Sequence, residues 1–240
     1  MMLVAVVHLP VCSEVEMRKR YGMTTVARNA LEGPQRAPGD VLDSGQGSDA
    51  KVWGGAAPSW LSGPVGLAAI GSTVIYLASD ILEVGQGQFS TFRLILTYIG
   101  EAAIPLFVLG LYAVQRPRIG RLGLAGAVAY AYSYVFFTTT VVYALVAHTT
   151  DYEAVTKAFG AWMVIHGLIM LIGGAAFGFA VVRARVLPRW TGVCLAVGVV
   201  VVAAASGLPV LARTIAEAVP AAAFISMGAV VLRDSRRVQD

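Results

Sequence analysis

The sequence predicts an all-α membrane protein: a six-helix transmembrane bundle with short loops, preceded by a disordered N-terminal tail. Three observations predict it. Of 240 residues, 57% are hydrophobic and only 13% charged, against about 25% charged in a soluble domain. Beyond residue 60 the chain alternates between apolar runs and short polar links, and an apolar helix needs about 20 residues to cross the hydrocarbon core. Fifteen of the eighteen Lys and Arg residues then fall on one side of that alternation, which is how a multi-span protein records its orientation.

Residues 1–59 read as a disordered cytoplasmic tail. From Thr24 to Ser59 the chain is rich in Gly, Pro, Ser, Asp and Gln, a composition that buries too little apolar surface to fold. The first eleven residues are apolar, but Arg18, Lys19 and Arg20 follow them, the reverse of a secretory signal. A translation start at Met17 or Met23 is the simpler account. Leu9-Pro10-Val11-Cys12 makes a poor lipoprotein box, and Cys12 with Cys194 gives neither a disulfide framework nor a metal spacing. The formal charge of +4 reflects cations beside apolar spans, so no nucleic-acid partner is expected.

The transmembrane domain is expected over 60–233, with runs at 61–81, 94–115, 122–147, 161–182, 193–212 and 215–232, and a cytoplasmic C-terminus at 234–240. The last run is the weakest, being short and containing Glu217 and Pro220. Five spans, with 193–232 as one broken element, is the alternative. Every second run is followed by an arginine cluster: Arg116, Arg118, Arg121; Arg183, Arg185, Arg189; Arg233, Arg236, Arg237. The opposite links hold only Arg93, Lys157 and Arg213. Six crossings place both termini in the cytoplasm, and links this short imply antiparallel neighbours. Trp53, Trp60, Trp162 and Trp190 flank the spans where indole rings anchor to headgroups. Gly120, Gly123 and Gly126, and Gly174 with Gly178 at GxxxG spacing, mark close-packing faces, within the chain or between two copies. The spacing of arginines around Arg116–Gly123 resembles that around Arg183–Gly192, which fits either a duplicated hairpin or the shared basic character of inner links.

An ionisable group within a span costs roughly 2.5–3.5 kcal/mol at its centre, so each needs a reason. Glu101 precedes Arg116 by 15 residues, His166 precedes Arg183 by 17, and Glu217 precedes Arg233 by 16. At 1.5 Å per residue, all three lie about 23–26 Å from the arginine boundary. Asp80, His148 and Arg213 end their spans on the same outer side, leaving the inner half dry. Two readings follow. Glu101, His166, Glu217 and Asp80 converge on an outward polar cavity that binds a cation or carries protons, extended by Tyr98 and by Tyr130, Tyr134 and Thr138 on one helical face. Or the terminal groups reach interfacial water, while Glu101 and His166 pair with each other or with a tyrosine to join helices.

The chain contains no HExxH, GxSxG, P-loop or CxxC motif. His148, Asp151 and Glu153 read as a solvated face rather than a metal site, and no cofactor is expected. The segment Val186-Leu187-Pro188-Arg189-Trp190-Thr191-Gly192 resembles a loop signature of uncharacterised six-span bacterial integral membrane proteins grouped as domains of unknown function. The resemblance implies a protein of the bacterial cytoplasmic membrane and supplies no reaction or site residue. Physically, Pro breaks the helix, Arg faces the cytoplasm and Trp anchors the next span.

Three functions fit these residues. The first is a small-solute or proton-coupled transporter with an outward cavity. The second is an intramembrane enzyme acting on a lipid or isoprenoid, with Glu101 as general acid assisted by His166 or Asp80. The third is an accessory or scaffold subunit. The bilayer is the expected partner of all three, with a small-molecule or lipid substrate, a second copy or a membrane complex as further partners.

Overall fold

A computed structural model describes residues 59–86 and 89–237. The expected tail up to residue 58, the starts at Met17 and Met23, Cys12, Trp53 and residues 238–240 lie outside the described residues.

The described chain forms seven α-helices and no strand: α1 (Ser59–Gln86), α2 (Thr91–Val114), α3 (Gly120–Ala147), α4 (Tyr152–Phe159), α5 (Ala161–Ala184), α6 (Arg189–Ala205) and α7 (Val210–Arg237). Five of them, α1, α2, α3, α5 and α7, are long and apolar enough to cross a membrane. Helix α6 is apolar but has 17 residues, short of the usual span.

Local chemistry explains the boundaries. Ser90 caps α2, its Oγ accepting from the Arg93 amide at 3.3 Å. Pro188 stands at the N-cap of α6, where its missing N–H is harmless, and its carbonyl accepts from the Thr191 hydroxyl at 2.8 Å. Asp151 caps α4, accepting from the Ala154 amide at 2.8 Å. That bond and the Thr150 hydroxyl hold the Asp151 carboxyl below its ordinary range. Gly160 joins α4 to α5 at a φ of 52°, a conformation glycine adopts freely.

The last two runs are redrawn. The break falls at Ser206-Gly207-Leu208-Pro209, where proline cannot continue α6 but readily precedes a new helix. Residues 193–232 therefore form two helices packed on each other rather than one broken element. The run expected to be weakest becomes a helix of 28 residues that carries Arg213 in its first turn and extends beyond residue 233. Pro220 stays inside it, tolerated because neighbouring helices support the freed backbone. The link expected at 149–160 contains the amphipathic helix α4.

The long helices form a closed ring. Each packs on its neighbour in the order α1, α2, α3, α5, α6, α7, and α7 returns to α1. Consecutive members run antiparallel, so one end of the ring gathers residues 89–90, α4 and 206–209. The other gathers residues 115–119, 185–188 and the C-terminus of α7, and with them Arg116, Arg118, Arg121, Arg183, Arg185, Arg189, Arg233 and Arg236. The closing seam is a backbone contact. A Cβ on Gly66 would lie 2.7 Å from the Gly228 carbonyl oxygen, and one on Gly228 would lie 2.9 Å from that of Gly66. On the α5–α6 seam a Cβ on Gly178 would lie 2.6 Å from the Gly192 carbonyl oxygen, and one on Gly174 would lie 2.7 Å from Val199 Cγ1, so both members of the GxxxG pair are spent within the chain.

The arginine half of the ring is filled by apolar side chains, among them Val65, Val108, Leu111, Val181, Met227 and Val231. Leu106, Val146, Ile172 and Phe179 are exposed, presenting the apolar outer surface that lipid requires. Gly66→Leu is expected to destabilise the bundle by about 1–3 kcal/mol through overpacking. Gly71→Ala, where a Cβ meets nothing within 4 Å, is expected to be neutral or mildly stabilising. Thermal melts of both variants in one detergent check this.

Candidate functional site

Helical periodicity delivers the polar residues to one interior surface. On α1, Thr73, Tyr76, Asp80 and Glu83 recur at three- and four-residue spacing and so share a face. On α2 the same holds for Arg93, Thr97 and Glu101, on α3 for Tyr130 and Tyr134, and on α7 for Arg213 and Glu217. All line one cavity of about 530 Å³, within the 300–1,000 Å³ usual for small-ligand sites. Helices α5 and α6 contribute mainly an apolar wall that includes Leu168, Leu171, Val199 and Val202. The cavity reaches the surface beside Tyr152, Thr156 and Ser206, at the end away from the arginines.

Its floor is aromatic. Phe107 and Phe224 meet edge to face at 5.1 Å between centroids, and Tyr130 lies 5.9 Å from Phe224. The Tyr130 and Tyr134 hydroxyls stand 3.4 Å apart. Above the floor the Asp80 and Glu217 carboxyls and the Tyr76 hydroxyl, from α1 and α7, line the same space. Asp80 and Glu101 are both 7% exposed. Asp80 Oδ2 and Glu101 Oε2 have no hydrogen-bond partner among the described residues.

The rim is held by ions. Glu83 accepts from Arg93 Nη2 at 2.5 Å and from Arg213 Nη2 at 3.4 Å, linking α1, α2 and α7. Phe89 lies under the Arg93 guanidinium at 4.6 Å, and Tyr152 under that of Arg213 at 5.2 Å, both within cation–π range.

Five of the six residues expected at the site thus share the cavity: Asp80, Glu101, Glu217, Tyr130 and Tyr134. His166 does not line it. Its ring stacks on Phe136 at 3.7 Å between centroids, nearly coplanar at 8°. Nδ1 lies 2.9 Å from the Trp162 carbonyl oxygen and so donates, and Nε2 faces the Tyr132 hydroxyl at 3.4 Å. The imidazole joins α3 to α5 through a tyrosine. Tyr98 is exposed and Thr138 bonds the Tyr134 carbonyl at 2.8 Å; neither lines the cavity. His148 ends α3 with a φ of 51°, and Asp151 is engaged as the α4 cap.

Four cavity residues were missed as site members: Tyr76, Glu83, Arg93 and Arg213. The signal existed. Tyr76 and Glu83 share the helical face of Asp80, but ending the first run at residue 81 cut the helix before Glu83.

Fold and site together define a multi-pass helical membrane protein with an ion-bearing interior cavity. Comparison with protein-family models, curated proteins and solved structures finds no match to this chain.

Thr214 lines the cavity, whereas Ala223 is wholly buried in the core. In a chain lacking Cys12 and Cys194, Thr214→Cys is expected to react with a charged, membrane-impermeant maleimide at least tenfold faster than Ala223→Cys, because only thiolate reached by water is a nucleophile. Mass spectrometry of the labelled protein reads the ratio.

Proposed function

We propose that this protein is a proton-coupled carrier for a small solute, with the cavity as its outward-facing site in a bacterial cytoplasmic membrane. On this reading α6 is the sixth crossing, the arginine end faces the cytoplasm, and both termini lie there. The loop signature around Leu187-Pro188-Arg189-Trp190 accords with that placement.

The observation that carries the proposal is the meeting of Asp80, Glu101 and Glu217, from three different helices, in one cavity. Carboxyl groups are rare at membrane depth, and they mark proton relays and ion paths where they face a cavity. Asp80 on α1 and Glu217 on α7 face the cavity from the two helices that the Gly66–Gly228 contact joins, and on the proposed reading they share one proton. Loss of that proton places two negative charges together and biases the helices apart, which couples protonation to a change in the ring. Glu101 stands beside this pair with a free oxygen directed into the same space, available to a solute or a proton.

The test uses proteoliposomes loaded with a pH-sensitive dye and challenged with a panel of small solutes. The native chain is expected to acidify the lumen with at least one of them. Glu101→Gln and Glu217→Gln are expected to slow this roughly tenfold or more, a loss of about 1.4 kcal/mol or greater. His166→Phe, which keeps the stacked ring away from the cavity, is expected to stay within about twofold. Native rates in both carboxamide variants, with normal insertion, sink the proposal.

A further inference from the structure

The cavity rim has its own balance of charge. Arg93 and Arg213 share a single carboxylate, Glu83, and guanidinium stays protonated in proteins. The three groups carry one net positive charge. Arg93 is only 6% exposed, yet its Nε and Nη1 have no hydrogen-bond partner among the described residues, and neither has Nε of Arg213. Buried donors without acceptors are costly, and these belong to cavity-lining side chains. Phe89 and Tyr152 occupy the faces of the two guanidinium planes, so the N–H edges remain the free direction. An acceptor that carries one negative charge completes the cluster.

We infer that the rim binds the carboxylate of a small amphipathic organic acid between Arg93 and Arg213, with the apolar part of the molecule directed toward Phe107 and Phe224. A carboxylate matches the single surplus charge and the planar donor edges of guanidinium. A phosphate dianion would leave a second negative charge facing Asp80 and Glu217. The walls below the rim are apolar at Ile104, Phe137 and Leu171, which suits a hydrocarbon body and not a hydrated ion. As the substrate class of the carrier proposed above, this inference rests on that reading; as a binding site it stands apart from it. A monoanion moving with one proton on the Asp80–Glu217 pair would cross without net charge.

The full chain in nanodiscs of phosphatidylcholine, which offers no anionic lipid, is titrated calorimetrically with octanoate, octylammonium and inorganic phosphate. Octanoate is expected to bind, and octylammonium and phosphate to bind at least tenfold more weakly. Arg213→Gln is expected to weaken octanoate at least tenfold. Glu83→Gln leaves two positive charges at the rim and is expected to tighten it, an opposite sign that general loosening of the bundle does not produce. Leu106→Ala, on the outer surface, is expected to leave it unchanged. Preference for octylammonium, equal binding of phosphate, or unchanged octanoate affinity in Arg213→Gln overturns the inference. Solute-driven proton movement without octanoate binding overturns this site and leaves the carrier. Octanoate binding without proton movement for any solute leaves this site and removes the carrier.

Discussion

The backbone contact between Gly66 and Gly228 is the constraint on which the rest of the molecule depends. Six antiparallel helices joined by short links can lie side by side as an open sheet or curl until first meets last. Only the closed arrangement has an interior. Closure here brings α1 and α7 near enough for one carbonyl oxygen to sit where a side chain would begin, and such approach lets weak contacts accumulate along the seam. Every polar feature of the cavity that joins these helices, from Asp80 with Glu217 to Glu83 with Arg213, lies further along the same interface. The apolar filling of the other half, with Met227 and Val231 against Val65, keeps the seam in register.

Charges inside such a ring compensate one another only in part. Glu83 answers both arginines, and Asp80, Glu217 and Tyr76 face the same cavity. Among the described residues, five of the seven buried side-chain atoms without partners belong to cavity-lining groups, namely Asp80 Oδ2, Glu101 Oε2, Nε and Nη1 of Arg93 and Nε of Arg213, whereas Gln115 Oε1 and Thr149 Oγ1 lie elsewhere. Native interiors satisfy the great majority of buried polar groups. Replacing an ion cluster by apolar residues is often neutral or stabilising. On the proposed reading, the unmet polar atoms on the cavity wall are the ones a bound solute would satisfy.

Much of this was legible in the sequence. The helical membrane class and the antiparallel order follow from the apolar runs and short links, and counting back to the arginines gives Glu101 and Glu217 a common expected depth, because rise per residue is fixed. The direction in which a side chain points is not fixed by depth. The same count gives His166 an expected depth close to that of Glu101, yet its ring turns toward Phe136 and Tyr132. Its helix, α5, is apolar nearly all round, so no moment in the sequence tells one face from another. Glu83 and Arg213 were lost for a different reason. Hydropathy ends a helix where charge begins, whereas the charged turns of α1 and α7 continue the helix and build the rim. The Ser-Gly-Leu-Pro break at 206–209 was the clearest missed punctuation, because apolar residues on both sides masked it.

Helix α6 carries a consequence for the surrounding lipid. Its 17 residues rise about 26 Å, some 4 Å less than a hydrocarbon layer of about 30 Å. Trp190, in its first turn, is exposed. On the proposed reading of α6 as a crossing, lipid along that flank must compress or its headgroups must dip to meet the helix ends, at a fraction of a kcal/mol for each ångström of mismatch. The ring would then carry one thin sector on an otherwise full-thickness perimeter. Such asymmetry favours shorter acyl chains at that flank and makes bilayer composition a setting of the protein's behaviour.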